Sequence, residues 1–448
     1  MTKISQLCVF ANMDASWMPC GELSLTEDGA NLVASSFEYD RAYPQRPEAF
    51  AIDPVSLSLA GKRGVFERRA SPVNALPYFG AIRDATPDAW GRRVIEAKLG
   101  ASLNGLPESQ YLLHAGSDRV GALDVRSDAS AQPVVADDSW DALPKLAEAA
   151  SLIERGLPVP PELADIFVQG AALGGARPKA SVRDEKGTLH LAKFAGERDR
   201  FDVPAVEYAT LRLGAKVGLR VPSIRLVNIR DGNVLLSRRF DRLWSVPGDS
   251  TPRGDSRFVQ GNATTGAREH RVPFVSALTL LACDEMDSRN MSYADVAACM
   301  RRYCRTLLAD DGVAELFKRM IFNIFVSNND DHLRNIGFLW DAELQSWRLS
   351  PVYDVLPQPS LASERFQHLG VGKSGRLATL DNALSQLDAY QLSTSLACDL
   401  IADVWRVVSD WRATFAEFDV APRDIGSVQS AFRHIDDISS VSLRGILP

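Results

Sequence analysis

The stretch VAELFKRMIFNIFVSNND (313–330) constrains the fold more than any other part of the chain. Val313, Leu316, Phe317, Met320, Ile321, Ile324 and Phe325 recur at the i, i+3, i+4, i+7 spacing that lines one face of an α-helix. That many large apolar side chains on one face require burial, so this helix is core. The spacing predicts that it ends at the polar pair Asn328–Asn329 and delivers Asp330 into a loop. IGFLW (336–340) and SWRLS (346–350) then read as a hairpin around Asp341–Gln345, with Asp354 directly after its second strand.

The rest of the chain supplies ample apolar material for such a core. It has 448 residues, 46% of them hydrophobic, enough for two or three domains. A net charge of −7 argues mildly against a direct nucleic-acid binder. Cys8, Cys20, Cys283, Cys299, Cys304 and Cys398 form no CxxC pair and have no zinc-finger spacing. They read as small buried hydrophobes in a reducing compartment. The opening MTKISQLCVFANMD lacks the apolar run of a signal peptide, and no stretch approaches the roughly 20 apolar residues of a membrane span. The expectation is a cytoplasmic protein with no membrane contact.

Five segments are expected along the chain: 1–125, 126–160, 161–245, 246–272 and 273–448. The first reads as an α/β subdomain, with strands at 7–12 and 21–26 and a helix-like stretch over 74–100 broken at Pro87. A small-residue, polar boundary (126–137) leads into an amphipathic helix at 141–156. The third segment mixes strands and helices, including a strand at 188–194 and a helix at 206–219. Residues 244–272, rich in glycine, proline and polar side chains, read as a long surface loop, and the chain from 273 onward is mainly helical.

The residues with chemical potential concentrate in NNDDHLRNIGFLW and SPVYDV. Asp330 and Asn335 stand in the D-x-x-x-x-N spacing that protein kinases use for a catalytic aspartate and a metal-binding asparagine. Asp354 follows the next hairpin, where kinases carry a second metal-binding acid. Phosphoryl transfer needs positioning and charge neutralisation more than covalent work. One carboxylate must accept the hydrogen of the incoming hydroxyl, while an amide and a second carboxylate offer hard oxygens to Mg²⁺. An Asx-rich turn capping a helix would account for Asp330 and Asn335 alone; the hairpin and Asp354 favour the metal-assisted reading. His332 is either a metal ligand beside Asp330 or Asp331, or, as the stronger reading, a hydrogen-bonded histidine that orders the loop.

Upstream, QGAALGGARPKASV (169–182) places Gly170, Gly174 and Gly175 where backbone can approach phosphates, and Lys179 closes the loop. No Gly-Lys-Ser/Thr follows, so it is not a Walker A loop. Lys193 lies on the apolar face of the 188–194 strand with Leu189 and Leu191. It either snorkels to solvent or is buried, and burial calls for a partner, for which Glu207 on the following helix is the candidate. LLSRRFDRLW (235–244) reads either as a hinge whose backbone meets an adenine or as a charged surface strand end.

In combination, FGAIRDATPDAWGRR (79–93), LGGARPKA (173–180), LAKF (191–194), VEYATLRLGAKVGLRVP (206–222), RRFDR (238–242), SNNDDHLRNIGFL (327–339) and LSPVYDVLP (349–357) resemble the HipA family, the kinase toxins of bacterial toxin–antitoxin modules. The resemblance implies a two-lobed, protein-kinase-like α+β fold with an N-terminal α/β subdomain and a mostly helical C-terminal lobe. It implies Mg²⁺- and ATP-dependent serine/threonine phosphorylation of a protein such as an aminoacyl-tRNA synthetase. It further implies a HipB-like helix-turn-helix antitoxin through which alone DNA is met. By motif position Asp330 would be the base, and Asn335 and Asp354 the metal ligands. Lys193 would contact the nucleotide phosphates. Ala172 to Lys179, including Gly174, Gly175, Ala176 and Arg177, would form the nucleotide loop, with Glu207, Arg238, Phe240 and His332 also on the nucleotide side.

Two departures stand out. Asn328–Asn329 replace the His-Arg that precedes the base in other kinases. Ala172 stands where family members often carry a serine whose autophosphorylation ejects the loop. Either that brake is missing, or another hydroxyl such as Ser181 serves, or the sequence was altered there. A phosphotransferase acting on a small molecule and a non-catalytic nucleotide-binding co-repressor remain the alternatives, with a metal-dependent nuclease the weakest.

Overall fold

A computed structural model describes residues 2–59, 69–135, 140–160, 163, 175–230, 232–245 and 268–447, with main chain only at Ser245 and 306–310. The chain divides into two compact units. One comprises Met1–Arg198 and Ser223–Val275, the other Asp199–Pro222 and Ser276–Pro448.

The first unit is built on two antiparallel sheets. Strands β1 (Thr2–Met13), β2 (Ser16–Asp28), β3 (Asn31–Tyr39) and β4 (Leu123–Arg126) run in the order β3-β2-β1-β4. Asp14 and Ala15, both at positive φ, make the two-residue turn between β1 and β2. Both strands are longer than their apolar cores at 7–12 and 21–26, because the ends Thr2–Ser5 and Thr26–Asp28 also pair across the ladder, where the Ser5 hydroxyl donates to Glu27 at 3.0 Å. The 74–100 stretch resolves into two helices, Gly80–Asp84 and Ala89–Leu99, and the break falls at Pro87.

The second sheet carries β5 (Lys179–Arg183), β6 (Leu189–Lys193), β7 (Ile224–Ile229) and β8 (Gly232–Arg238) in the order β5-β6-β8-β7. The helices Ala89–Leu99 and Leu143–Glu154 share its core: Trp90, Val94 and Leu146 pack in one cluster with Val182, Ala192 and Leu236. The strand at 188–194 is more deeply buried than its alternation suggested, since His190 and Ala192 are covered as well as Leu189 and Lys193. The 244–272 stretch is not all loop. Its ends form a hairpin, β9 (Arg242–Ser245) with β10 (Arg268–Arg271), and 246–267 lies outside the described residues.

The second unit is mainly helical. The helix Thr306–Val326 is its axis, with Leu316, Phe317, Met320, Ile321, Ile324 and Phe325 fully buried. The helix Tyr293–Tyr303 starts in a capping box of Ser292 and Asp295. The helix Val203–Lys216 is capped by Asp202 and belongs to this unit, although its sequence neighbours belong to the other. Gly337–Asp341 and Ser346–Leu349 pair as the expected hairpin. Among the described residues no helix is long and apolar enough to cross a membrane.

Candidate functional site

The long helix stops two residues earlier than its polar end suggested. Ser327 adopts a left-handed conformation at φ 50° and terminates it at Val326. The Ser327 hydroxyl donates to the Ala431 carbonyl at 2.6 Å. Arg365 spans the same corner, donating to Ser327 Oγ (2.6 Å), Ser430 O (2.6 Å) and Ser360 O (2.8 Å). The loop that follows therefore leaves a fixed end.

Within that loop Asp330 points outward, its side chain 69% exposed. Asn335 Nδ2 donates to the Asp330 carbonyl at 2.8 Å, and Asn335 N donates to the His332 carbonyl at 2.8 Å, across the short turn Leu333–Asn335. The amide nitrogen of Asn335 is committed to bracing the loop, which leaves Oδ1 as the end able to accept a ligand. The ring of His332 does not meet the expectation of a hydrogen-bonded histidine. Its Nε2 is 4.0 Å from Asp330 Oδ1, too long for a hydrogen bond, and its buried Nδ1 has no partner. The ring packs edge-on against His368, 5.7 Å between centroids. Burial, reinforced by the charges of His332, Arg289 and Arg376, pushes the His368 imidazole down to about 4, so it is neutral at pH 7.

Asp354 is delivered by a tethered strand end. Arg319, buried and paired with Glu315, donates to the Ser350 carbonyl at 2.5 Å. Val352 N donates to Arg220 O at 2.7 Å, and the Tyr353 hydroxyl donates to the Arg334 carbonyl at 2.8 Å. Asp354 then turns at φ 53°, a left-handed conformation that aspartate tolerates better than most residues. An amide oxygen at Asn335 and a carboxylate at Asp354 suit a hard cation. No group of three or more His, Cys, Asp or Glu among the described residues could cage a metal alone. Such a donor set fits Mg²⁺, which keeps waters and substrate phosphates as its remaining ligands.

The first unit carries two buried lysines of its own. Lys193 on β6 stands directly opposite Lys179 on β5, 8% and 2% exposed. Cross-strand partners share a face of the sheet, and two like charges side by side disfavour each other unless an anion or acid offsets them. Lys193 is thus buried and does not snorkel. Gly175 sits at φ 105°, and a Cβ added there would lie 2.3 Å from Lys179 Nζ and 3.8 Å from Asp88 Oδ2. Asp88 caps the helix Ala89–Leu99 through Trp90 N (3.2 Å), Trp90 N also reaches the Gly175 carbonyl (3.3 Å), and Trp90 Nε1 holds the Lys179 carbonyl (2.9 Å). The motif at 79–93 therefore backs Gly175 and Lys179, a role invisible in the local sequence. Ala176 is exposed and Arg177 half-buried; Gly174, like Gly170 and Ala172, lies outside the described residues. Glu207, the expected partner of Lys193, is buried on the helix Val203–Lys216 of the second unit.

The RRFDR stretch is not a surface charge cluster, because Arg239, Asp241 and Arg242 are buried and paired. Asp241 Oδ2 accepts from Gly121 N (2.7 Å), Arg239 Nη2 (2.7 Å) and Arg242 Nη1 (2.8 Å), all buried. Burial alone would raise the Asp241 carboxyl; Arg239 and Arg242 overcome it and hold the group well below the usual range. Burial, then Arg271, pulls Arg242 down to about 9. Arg238 ends β8 and Phe240 packs 6.5 Å from the Phe274 ring, both half-buried. Ser181 is buried in β5 and its hydroxyl lacks a hydrogen-bond partner, so it is no accessible phosphate acceptor in this fold.

Comparison with known proteins agrees with this architecture. Two proteins of Sinorhizobium fredii are similar in sequence. "Putative kinase Y4mE" is 25% identical over 73% of this chain and 74% of its own length. "Putative kinase Y4dM" is 24% identical over 88% and 89%. A chain from the solved complex of HipA, HipB and operator DNA of the Shewanella oneidensis toxin–antitoxin system matches 94% of both chains with a TM-score of 0.63 at 16% identity, so the two share a fold. Residues 171–411 match the family profile described as the HipA-like C-terminal domain, which covers more than half of the sequence, and the chain belongs to the HipA-like family.

Proposed function

We propose that this chain is an ATP-dependent serine/threonine protein kinase that acts as the toxin of a toxin–antitoxin pair. The observation that carries the reading is the loop of the second unit. There Asp330 is held exposed by a main chain that Asn335 braces, and Tyr353 ties the Asp354 segment to the same loop. Asp330 accepts the hydrogen of the acceptor hydroxyl and orients its oxygen. Asn335 Oδ1 and the Asp354 carboxylate would hold Mg²⁺, which when bound neutralises charge on the nucleotide phosphates. Lys179 and Lys193 offer the cations that phosphate oxygens require, and the backbone at Gly175 lets phosphate approach. The Shewanella relative was solved with HipB and operator DNA. By analogy a small helix-turn-helix antitoxin is the partner here, and the acidic balance of this chain leaves DNA contact to that partner. The substrate is a protein of the translation machinery such as an aminoacyl-tRNA synthetase. With alanine at position 172 the loop lacks the hydroxyl by which relatives silence themselves.

The test is phosphate transfer in a bacterial lysate from radiolabelled ATP with Mg²⁺, comparing wild type with Asp330→Ala. Label on a protein with the wild type alone supports the reading. Equal labelling by both proteins removes Asp330 as the base, and label on a metabolite instead of a protein overturns the assigned acceptor.

A further inference from the structure

Asp330 and Asp331 are consecutive, yet the first is exposed and the second is 3% exposed. Each oxygen of the buried carboxylate takes a hydrogen bond. The Tyr293 hydroxyl donates to Oδ2 at 2.5 Å, and the His368 main-chain N–H donates to Oδ1 at 2.7 Å. Tyr293 in turn accepts from Asn323 Nδ2 at 3.0 Å, and Asn323 Oδ1 accepts from Asn328 Nδ2 at 3.1 Å. The Asn328 carbonyl takes Gln367 Nε2 at 2.8 Å. Donors from the start of Tyr293–Tyr303 and the 367–368 segment, and an acceptor from the last turn of Thr306–Val326, thus converge on the loop between Asn328 and Asp331.

The groups that face Asp331 are few. Tyr293 faces it from one helix, and Gln367 and His368 from the 367–368 segment. His332, Arg289 and Arg376 act on the neighbouring His368 ring. None of its hydrogen-bond partners is a cation. A buried carboxylate without a cationic partner is a costly way to pack a turn, and a neutral side chain would do it at less cost. What the charge adds is two strong, directional bonds. They act at the residue whose main chain leads directly to Asp330.

We propose that Asp331 is the positioning residue of this loop: its bonds to Tyr293 and His368 fix the main chain that carries Asp330. The inference rests on reading Asp330 as the base, but its physical core is the loop geometry. Misplacing a reacting group by about 1 Å costs on the order of 100-fold in rate.

Two measurements on the purified full chain test it, using wild type, Asp331→Asn and Tyr293→Phe. Amide hydrogen exchange across 328–335 is expected to speed up about tenfold in Asp331→Asn and by a smaller factor in Tyr293→Phe. Exchange at wild-type rates in both variants overturns the proposal, whatever the activity. For turnover, kcat is expected to fall about tenfold or more with the KM for ATP within about twofold and no loss of thermal stability. A fall in kcat that only tracks the unfolded fraction reduces Asp331 to a structural residue and also overturns it. Should Asp331→Asn fail to fold, Tyr293→Phe, which removes a single hydroxyl, decides by the same two readouts. If the wild type transfers no phosphate, the reading of Asp330 as a base fails, and the exchange comparison still decides whether Asp331 holds the loop.

Discussion

The hydroxyl of Tyr353 donates to the main-chain carbonyl of Arg334 at 2.8 Å, so the residue before Asp354 is hydrogen-bonded to the residue before Asn335. The two expected metal-binding residues come from separate elements, a turn after the long helix and the segment after a hairpin. This bond couples them within the second unit.

Tyr353→Phe is therefore expected to slow turnover without unfolding the protein. Losing one hydrogen bond of this kind costs about 1 kcal/mol, which corresponds to roughly fivefold in kcat if the bond holds only the productive arrangement. The half-saturating Mg²⁺ concentration should rise alongside. Steady-state kinetics over a Mg²⁺ titration check this, and unchanged values for both would remove Tyr353 from the site.

Gly175→Ala tests the phosphate side separately. Its φ of 105° is one that side-chain-bearing residues rarely adopt, and the new Cβ would lie 2.3 Å from Lys179 Nζ. The flexible end of Lys179 can move aside, so the clash is relieved at the expense of that ammonium's position. Backbone strain adds about 1–3 kcal/mol. The expected result is a KM for ATP raised about tenfold or more with a smaller change in kcat. Weakened ATP binding in calorimetry would accompany it; an unchanged KM would place the loop away from the nucleotide.

Much of this was legible beforehand, and the reasons for the exceptions are physical. The helix core at 313–325 and the hairpin around Asp341–Gln345 follow from apolar period alone, because both bury what their patterns expose. The seven residues at Thr306–Gly312 escaped, since Asp310, Asp311 and Gly312 interrupt the pattern. The hairpin of β9 and β10 escaped because its strands are four residues each and far apart in sequence. Lys193 could be placed on a strand, but not opposite Lys179, because register is a tertiary property. Asp331 carried a faint signal as the second acid of a doublet. Its partner Tyr293 carried none, since the two are 38 residues apart.

Asp331 also sets a pH dependence. Burial raises its carboxyl from the ordinary 3.8 to about 6, partly offset by the bonds from Tyr293 and His368 N. A raised acid binds a proton in the native state that the unfolded chain has already released. Its contribution to stability is complete below about 3.8 and is lost as pH rises through about 6. Between pH 5 and 7 this amounts to roughly 1.4 kcal/mol. Asp124, Glu269 and Glu315, held below the usual range, act in the opposite direction, so wild-type stability alone does not isolate it. Asp331→Asn does. The stability of the variant relative to wild type should be higher at pH 7 than at pH 5 by about that amount in urea unfolding. Parallel curves at the two pH values would contradict a titrating Asp331.

Asp241 separates a structural role for RRFDR from a nucleotide-contacting one. Its carboxylate meets Arg239, Arg242 and the Gly121 amide while buried, and Arg239 further donates to the Asp118 and Arg119 carbonyls (3.2 and 3.0 Å). Asp241→Asn keeps the shape but removes the carboxylate that pairs with both adjacent guanidiniums at 2.7–2.8 Å, leaving Arg242 the longer contact to Glu269 at 3.6 Å. Breaking a buried pair from one side typically costs about 3–5 kcal/mol, because the remaining charge stays buried without compensation. Arg242, already pulled down to about 9, then has the least to lose by releasing its proton, so the loss should shrink as pH rises toward 9. The expectation is a large drop in unfolding temperature with an unchanged KM for ATP in the fraction that remains folded. A raised KM without lost stability would return the motif to the nucleotide, and Asp241 would then have to act through Arg238 or Phe240 beside it.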